Sequence, residues 1–132
     1  MRRFFDTNIL VYAFLGTDKR KAALGLLAEG GIISNQVINE FTNVARKKRG
    51  RSWAEITAAV TVIRSHFDEI AIVTLETHQA ALDLASQHGL NFYDALIVAT
   101  AIEADCDILF SEDMQHDRMF GKLMIRNPFL SA

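Results

Sequence analysis

Four acidic residues lie beside segments that are otherwise apolar, and together they could bind a metal ion or catalyse hydrolysis. They are Asp6, Glu40, Asp94 and Asp113. Each also has an ordinary explanation: Asp6 as a helix N-cap, Asp94 as a partner of a helix dipole, Asp113 as a turn residue. Glu40 could equally lie on a solvated helix face. The chemistry therefore depends on whether the four side chains meet.

Short apolar segments alternate with longer segments of helical spacing along the chain. The expected strands are Arg3–Phe5, Ile32–Ile33, Ile70–Val73, Ile108–Phe110 and Leu123–Ile125. The expected helices begin after Asp6, at Lys19, at Asn35, after Ser52, at Thr77 and at Tyr93. Uninterrupted apolar strands that alternate with helices are typical of a parallel sheet covered on both faces, here with four to five strands. In such α/β folds, ligands bind beyond the carboxyl ends of the strands.

The strand-end rule places two of the acids at one edge of the sheet. Asp6 directly follows the first strand, and Asp113 stands three residues after the fourth. Asp94 opens a helix that is apolar nearly all round, so its carboxylate should point toward the edge where that helix begins. Converging carboxylates repel one another, and apart from Arg118 no basic residue nearby in the sequence is an evident counter-ion. A divalent cation such as Mg²⁺ or Mn²⁺ would relieve this repulsion.

Length, charge and cysteine content limit the alternatives. The chain has 132 residues, which predicts a single domain spanning residues 1–132. The net charge of −2 argues against capture of nucleic acid by the whole surface. The single cysteine, Cys106, cannot form an internal disulfide, so we expect a cytoplasmic protein. The apolar N-terminal segment is interrupted by Asp6, and no stretch reaches the ~20 apolar residues of a membrane span, so no membrane contact is expected.

Four motifs resemble, in the same order along the chain, those of the PIN-domain ribonucleases. They are Phe5–Tyr12, Asn39–Phe41, Tyr93–Ala101 and Ser111–Asp113. The resemblance is greatest to VapC-type toxins of bacterial toxin–antitoxin pairs. It implies an α/β/α sandwich of three layers and a magnesium-dependent ribonuclease centre in which Asp6, Glu40, Asp94 and Asp113 match the family's acidic quartet. It also implies that Thr7, Asn8 and Ser111 support the site.

Asp117 departs from the family pattern, because many similar sequences have glycine there. Three interpretations stay open: an acid that supports the metal ligands, an alternative fourth ligand in place of Asp113, or a surface residue without a role.

The mechanism expected from the resemblance is metal-assisted hydrolysis of an RNA phosphodiester with one or two ions, leaving 5′-phosphate and 3′-hydroxyl ends. Two other functions compete with it. A lapsed nuclease could serve only as an interaction module. An aspartate-dependent phosphatase would use Asp6 as nucleophile, but it would want a second acid where Asn8 stands.

A basic segment follows the helix that carries Glu40. It comprises Arg46, Lys47, Lys48, Arg49 and Arg51. This segment could follow the RNA backbone, or it could be an ordinary solvated helix end whose cations suit the dipole. The resemblance further implies a homodimer and an antitoxin partner. The apolar residues Val37, Phe41, Trp53 and Val60 could form the antitoxin groove, or they could be internal core.

Overall fold

The computed structural model describes residues 1–130. Six strands are present: β1 (Arg3–Phe5), β2 (Ile32–Ser34), β3 (Glu69–Ala71), β4 (Ile108–Phe110), β5 (Met119–Phe120) and β6 (Leu123–Arg126). Six helices accompany them: α1 (Thr7–Leu15), α2 (Arg20–Ala28), α3 (Asn35–Lys47), α4 (Trp53–His66), α5 (Leu75–His88) and α6 (Phe92–Glu103). Ser131 and Ala132, the last residues of the expected domain, lie outside the described residues.

The strands form one mostly parallel sheet in the order β3-β2-β1-β4-β6-β5. Five neighbouring strands are parallel, which confirms the expected sheet. The sixth strand was not anticipated. β5 has only two residues and pairs antiparallel with β6 through a tight turn at Gly121, whose φ of +60° favours glycine. A two-residue strand is too short to produce a detectable alternation in sequence.

The chain order reverses direction between β1 and β4. The connections β1–β2 and β2–β3 run toward one side of the sheet, whereas β3–β4 returns across it. Because such crossovers are right-handed, α1–α4 lie on one face and α5–α6 on the other. The packing agrees, since α1 contacts α2 and α3, α3 contacts α4, and α5 contacts α6. This α/β/α architecture places the topological switch point, where ligands bind, between the carboxyl ends of β1 and β4.

The core lies between the sheet and its helices. Phe4, Phe5 and Leu109 are fully buried, and α6 is buried continuously over residues 95–101. Full burial of one such large apolar side chain contributes about 1.5–3 kcal/mol. Val37 and Phe41 also belong to this core. They therefore cannot line an exposed groove, which was one of the two alternatives for these residues.

Local signals in the sequence fix where several helices begin and end. Ser52 and Glu55 form the expected capping box at the start of α4, and Gly89 ends α5 in the left-handed conformation. The third strand ends at Ala71, two residues earlier than expected, and the Val73 N–H donates to the Asn35 side chain instead. Among the described helices, none is long and apolar enough to cross a membrane.

Candidate active site

Asp6 occupies the junction between β1 and α1. Its N–H donates to the Phe110 carbonyl at the end of β4, so β1 and β4 present this residue together. Its Oδ1 accepts the Thr7 N–H at 2.7 Å as the N-cap of α1, and its Oδ2 accepts the Ser111 hydroxyl at 2.8 Å. The N-cap role considered from the sequence is therefore real. It does not exclude a second role, because a carboxylate has about four lone-pair sites.

Glu40 reaches the same place from α3. The Thr7 hydroxyl donates to Glu40 Oε2 at 2.6 Å, and the Gln36 amide donates to Oε1 at 3.2 Å. Thr7 thus links Asp6 and Glu40, since its backbone contacts one carboxylate and its side chain the other.

Asp94 lies in the first turn of α6. The N-cap of that helix is Asn91, whose side chain accepts the Asp94 N–H at 2.9 Å and donates to Asp94 Oδ2 at 2.8 Å. This reciprocal pair fixes the carboxylate near the positive end of the helix dipole.

Asp113 comes from the loop after β4. The Asn8 amide donates to Asp113 Oδ2 at 2.7 Å. The neighbouring Glu112 points elsewhere and holds the loop, since its carboxylate accepts hydrogen bonds from Tyr12 and Lys19. Asp113 is exposed and Glu112 partly buried, so two consecutive acids have different surroundings.

All four acids line one pocket of about 220 Å³ at the switch point. The lining also includes Thr7, Asn8, Asn43, Val44, Tyr93 and Ile97. The structure therefore brings together residues that are up to 107 positions apart, at the edge of the sheet that the strand-end rule indicates.

The pocket is electrostatically unfavourable for its own acids. The pKa of Asp6 is raised from 3.8 to about 6, mainly by burial. The hydrogen bonds from Ser111 and Thr7 lower this pKa, and the negative charges of Glu40 and Asp94 raise it. Burial also raises the pKa of Asp94, with contributions from Asp113 and Glu40. Within residues 1–130, none of the four acids forms an ion pair with Lys, Arg or His. Their partners are neutral hydroxyl and amide groups.

The donor set suits a hard divalent cation, which prefers carboxylate oxygens. In the part of the chain that is described, however, no three His, Cys, Asp or Glu side chains are already grouped as metal ligands. Each carboxylate is instead held by a neutral donor, and these hydrogen bonds would have to adjust for several acids to share an ion. Burial is the main cause of the raised pKa of Asp6 and Asp94, and the repulsion among the acids, which adds to it, would favour such an adjustment.

Asp117 does not belong to this pocket. Its side chain is 62% exposed and lies 3.4 Å from both Arg126 and His116. Arg118 is not a counter-ion either, since it donates to the His88 carbonyl and stacks over Phe120.

The basic segment divides into two groups. Arg49 and Arg51 donate to the Gly16 and Leu15 carbonyls at the C-terminal end of α1, and Arg46 lies over the Trp53 ring. These arginines have structural contacts. Lys47 and Lys48 are exposed, and neither forms an ion pair in the described residues.

Sequence reasoning missed several supporting residues. Asn91 had a detectable signal, because Asn three residues before Asp resembles a capping box. Lys19 and Glu112 had none, since they are 93 positions apart and meet only in the folded chain.

The fold and the pocket define an α/β protein with an acidic site at the switch point of a parallel sheet. A family model for the PIN domain matches residues 3–121. The chain belongs to the PIN-domain family. Among curated proteins, no significant match was found.

Solved structures with this fold include three from toxin–antitoxin systems. The VapC20 toxin of Mycobacterium tuberculosis, which cleaves the sarcin–ricin loop, is 21% identical with a TM-score of 0.71, covering 84% of this chain and 91% of its own. A toxin–antitoxin complex from Klebsiella pneumoniae is 22% identical with a TM-score of 0.74, and VapBC2 from Rickettsia felis, bound to promoter DNA, is 23% identical with a TM-score of 0.68. Both cover 96% of this chain and 98% of their own. At these identities the likeness establishes the shared fold.

Proposed function

We propose that this protein is a magnesium-dependent endoribonuclease and the toxin of a toxin–antitoxin pair. The observation that carries the proposal is the pocket at the switch point. Four carboxylates converge there without a cationic partner among the described residues. A site built only for stability would pair such acids with Lys or Arg, as the same protein does at its opposite sheet edge.

Asp6, Glu40, Asp94 and Asp113 would hold one or two ions. When bound, Mg²⁺ or Mn²⁺ supplies Lewis acidity at the scissile phosphate and lowers the pKa of the attacking water. Thr7 and Ser111 keep the Glu40 and Asp6 carboxylates oriented through their hydroxyl hydrogen bonds. Asn8 does the same for Asp113, and each donor occupies only part of the carboxylate's hydrogen-bonding capacity.

The test is metal-dependent cleavage by the purified protein. RNA should be cut in Mg²⁺ or Mn²⁺ and left intact in chelator, and Asp94→Asn should abolish cleavage while the protein stays folded. Full activity of that variant would refute the assignment. Hydrolysis of small phosphomonoesters without RNA cleavage would indicate the aspartate-dependent phosphatase, and neither activity would indicate a lapsed interaction module.

Metal binding has an independent readout. An ion that binds only the folded protein at 100 times its dissociation constant stabilises it by about 2.7 kcal/mol. The melting temperature should therefore rise with Mg²⁺ or Mn²⁺ in the wild-type protein, and much less in Asp94→Asn. Equal shifts in both proteins would place the ion elsewhere.

Lys47 and Lys48 are the remaining candidates for RNA-backbone contacts in the basic segment. Replacing both by Gln should weaken RNA binding and reduce its dependence on salt. The arginines at positions 46, 49 and 51 are poorer test sites, because their contacts with the protein would be lost at the same time.

An antitoxin partner and a homodimer complete the proposal. The likeness to solved toxin–antitoxin complexes supports the antitoxin. A depression of about 590 Å³ on α3 and α4, lined by Trp53, Ile56 and Val60, is a candidate groove for its apolar residues. Co-expression with the cognate antitoxin should suppress cleavage. Mapping the 5′ ends of cellular RNA after brief induction of the wild-type protein, with Asp6→Asn induced as the comparison, would identify the RNA target.

A further inference from the structure

We propose that Tyr93, Asn39 and Asn43 form a binding site for an unpaired nucleobase beside the acidic pocket. The inference rests on the proposed function in one respect, namely that RNA is the substrate. It adds that these three residues hold the nucleotide next to the reacting phosphate through its base.

A second cavity adjoins the acidic pocket. It has a volume of about 420 Å³ and is lined by Gln36, Asn39, Glu40, Asn43 and Tyr93. Three of these residues, Glu40, Asn43 and Tyr93, also line the acidic pocket. The two cavities therefore adjoin, and a nucleotide with its phosphate at the acids could place its sugar and base toward the second cavity.

Tyr93 is unusual for its helix. Residues 95–101 of α6 are buried, whereas Tyr93 is 62% exposed. Its ring rests edge-on against Phe92, with the ring centroids 5.7 Å apart. Exposed aromatic rings on a firm support are the surfaces on which unpaired RNA bases stack. Because Tyr93 directly precedes Asp94, such a base would lie next to the reacting phosphate.

Asn39 and Asn43 are one helical turn apart and face the same side of α3. Both are exposed, and within residues 1–130 neither amide takes part in a side-chain hydrogen bond. Gln36, one turn earlier than Glu40, is instead engaged with that carboxylate. Free amides offer a donor and an acceptor together, which is the pattern that reads the edges of bases.

Lys47 extends this surface. It lies four residues beyond Asn43 on the same side of α3, about 6 Å along the helix axis. Along α3, Glu40 thus lies between the two amides in sequence, and Lys47 lies beyond Asn43. This arrangement accommodates a strand with its reacting phosphate at the acids, a base at the amides and Tyr93, and a neighbouring phosphate at Lys47.

Equilibrium binding separates this inference from catalysis. In the Asp6→Asn background and in chelator, the affinity for fluorescein-labelled rA8 is compared with that for the same octamer of abasic ribose. Both probes carry the same phosphates, so repulsion by the acids cancels in the comparison. We expect rA8 to bind more tightly. Tyr93→Leu should weaken rA8 binding by about 5- to 150-fold, the range of aromatic–base stacking, and Tyr93→Phe should retain it.

Several results would overturn the inference. The first is equal affinity for the two octamers, and the second is unchanged rA8 affinity in Tyr93→Leu. The third is an equal loss of rA8 affinity in Tyr93→Leu and Tyr93→Phe, which would assign the effect to the hydroxyl. The amides are tested by Asn43→Ala, which should bring the affinities for rA8 and rU8 closer together. Equal affinities before that substitution would remove the role of the amides. Since no cleavage is measured, failure of the ribonuclease proposal and failure of the base site give different results.

Discussion

The two edges of the sheet treat their acidic residues in opposite ways. At the amino ends of the strands, Glu69 pairs with Arg2 at 2.9 Å and Glu29 with Arg3 at 3.0 Å. Asp107 accepts the Arg2 N–H at 2.8 Å, and this hydrogen bond lowers the pKa of its carboxyl. At the carboxyl ends, the four acids of the pocket have only hydroxyl and amide partners, and burial raises the pKa of Asp6 and Asp94.

The contrast in partners and pKa values distinguishes acids whose charge stabilises the fold from acids whose charge does not. At the amino edge the pKa of Asp107 is lower in the folded protein than its ordinary value, so ionisation of this carboxyl favours folding. At the carboxyl edge the pKa values of Asp6 and Asp94 are raised, so ionisation of these two carboxyls opposes folding. This contrast between the two edges supports the proposal that the carboxyl edge binds a cation or a substrate.

Substitutions of Asp113 and Asp117 test which of the two is the fourth acid of the site at the carboxyl edge. Asp113→Asn should lower RNA cleavage by more than about 100-fold, beyond the 10- to 100-fold typical of residues that only support metal ligands. Asp117→Asn is the matched control, because Asn tolerates the φ of +65° at that position and only the charge changes. Initial rates measured in Mg²⁺ decide the matter, and an equal loss in both variants would reopen the choice of the fourth acid.

Asp6→Asn should stabilise the metal-free protein at pH 7. In the folded protein the pKa of Asp6 is raised from 3.8 to about 6. The protonated carboxyl therefore contributes fully to folding stability only below pH 3.8, and this contribution is lost as the pH rises through 6. The difference corresponds to at most about 3 kcal/mol. Asparagine removes the charge and still caps α1.

Urea unfolding in chelator at pH 4 and pH 7 measures this effect. The gain from Asp6→Asn should be large at pH 7 and shrink toward pH 4. Asp107→Asn, at the opposite edge, should lower stability at pH 7, because the pKa of Asp107 is shifted downward. If both variants change stability in the same direction at pH 7, the contrast between the two edges fails.

Ser111→Ala should weaken catalysis without removing any acid. The Ser111 hydroxyl lowers the pKa of Asp6, so its loss should raise that pKa further and move the acidic limb of the pH–rate profile to higher pH. Activity at pH 7 should fall by roughly 10- to 100-fold. Ser65→Ala, which removes an exposed hydroxyl on α4, serves as the control. An unchanged pH–rate profile would show that the Ser111 hydroxyl does not control the pKa of Asp6 during catalysis.

The smallest effect is expected from the ion pair between Arg2 and Glu69. Both side chains are nearly half exposed, at 44% and 49%, so solvent screens the interaction. A double-mutant cycle with Arg2→Met and Glu69→Gln, measured by urea unfolding, should give about 0.2–1 kcal/mol. A coupling energy above 2 kcal/mol would mean that the amino edge contributes more to stability than its exposure allows.

Residues close together in sequence made much of the fold predictable. The apolar strands, the Ser52–Glu55 capping box and the glycine that ends α5 depend on interactions within a few residues. The two-residue strand β5 could not be predicted, because its pairing with β6, rather than its own sequence, defines it. The burial of α3 could not be separated from an exposed groove, because periodicity identifies an apolar face but not what covers it.

The sequence by itself determined the elements other than β5, the parallel sheet and the edge of the sheet at which the acids lie, because strand periodicity and helix caps are local and the strand-end rule is general. The tertiary structure alone decided which polar groups meet the acids. Thr7 with Glu40, Asn8 with Asp113 and Ser111 with Asp6 are 33 to 105 positions apart. The contacts of Asn8 and Ser111 exist because β1 lies beside β4 at the switch point, and the contact of Thr7 exists because α1 packs against α3. Both adjacencies are properties of the folded chain.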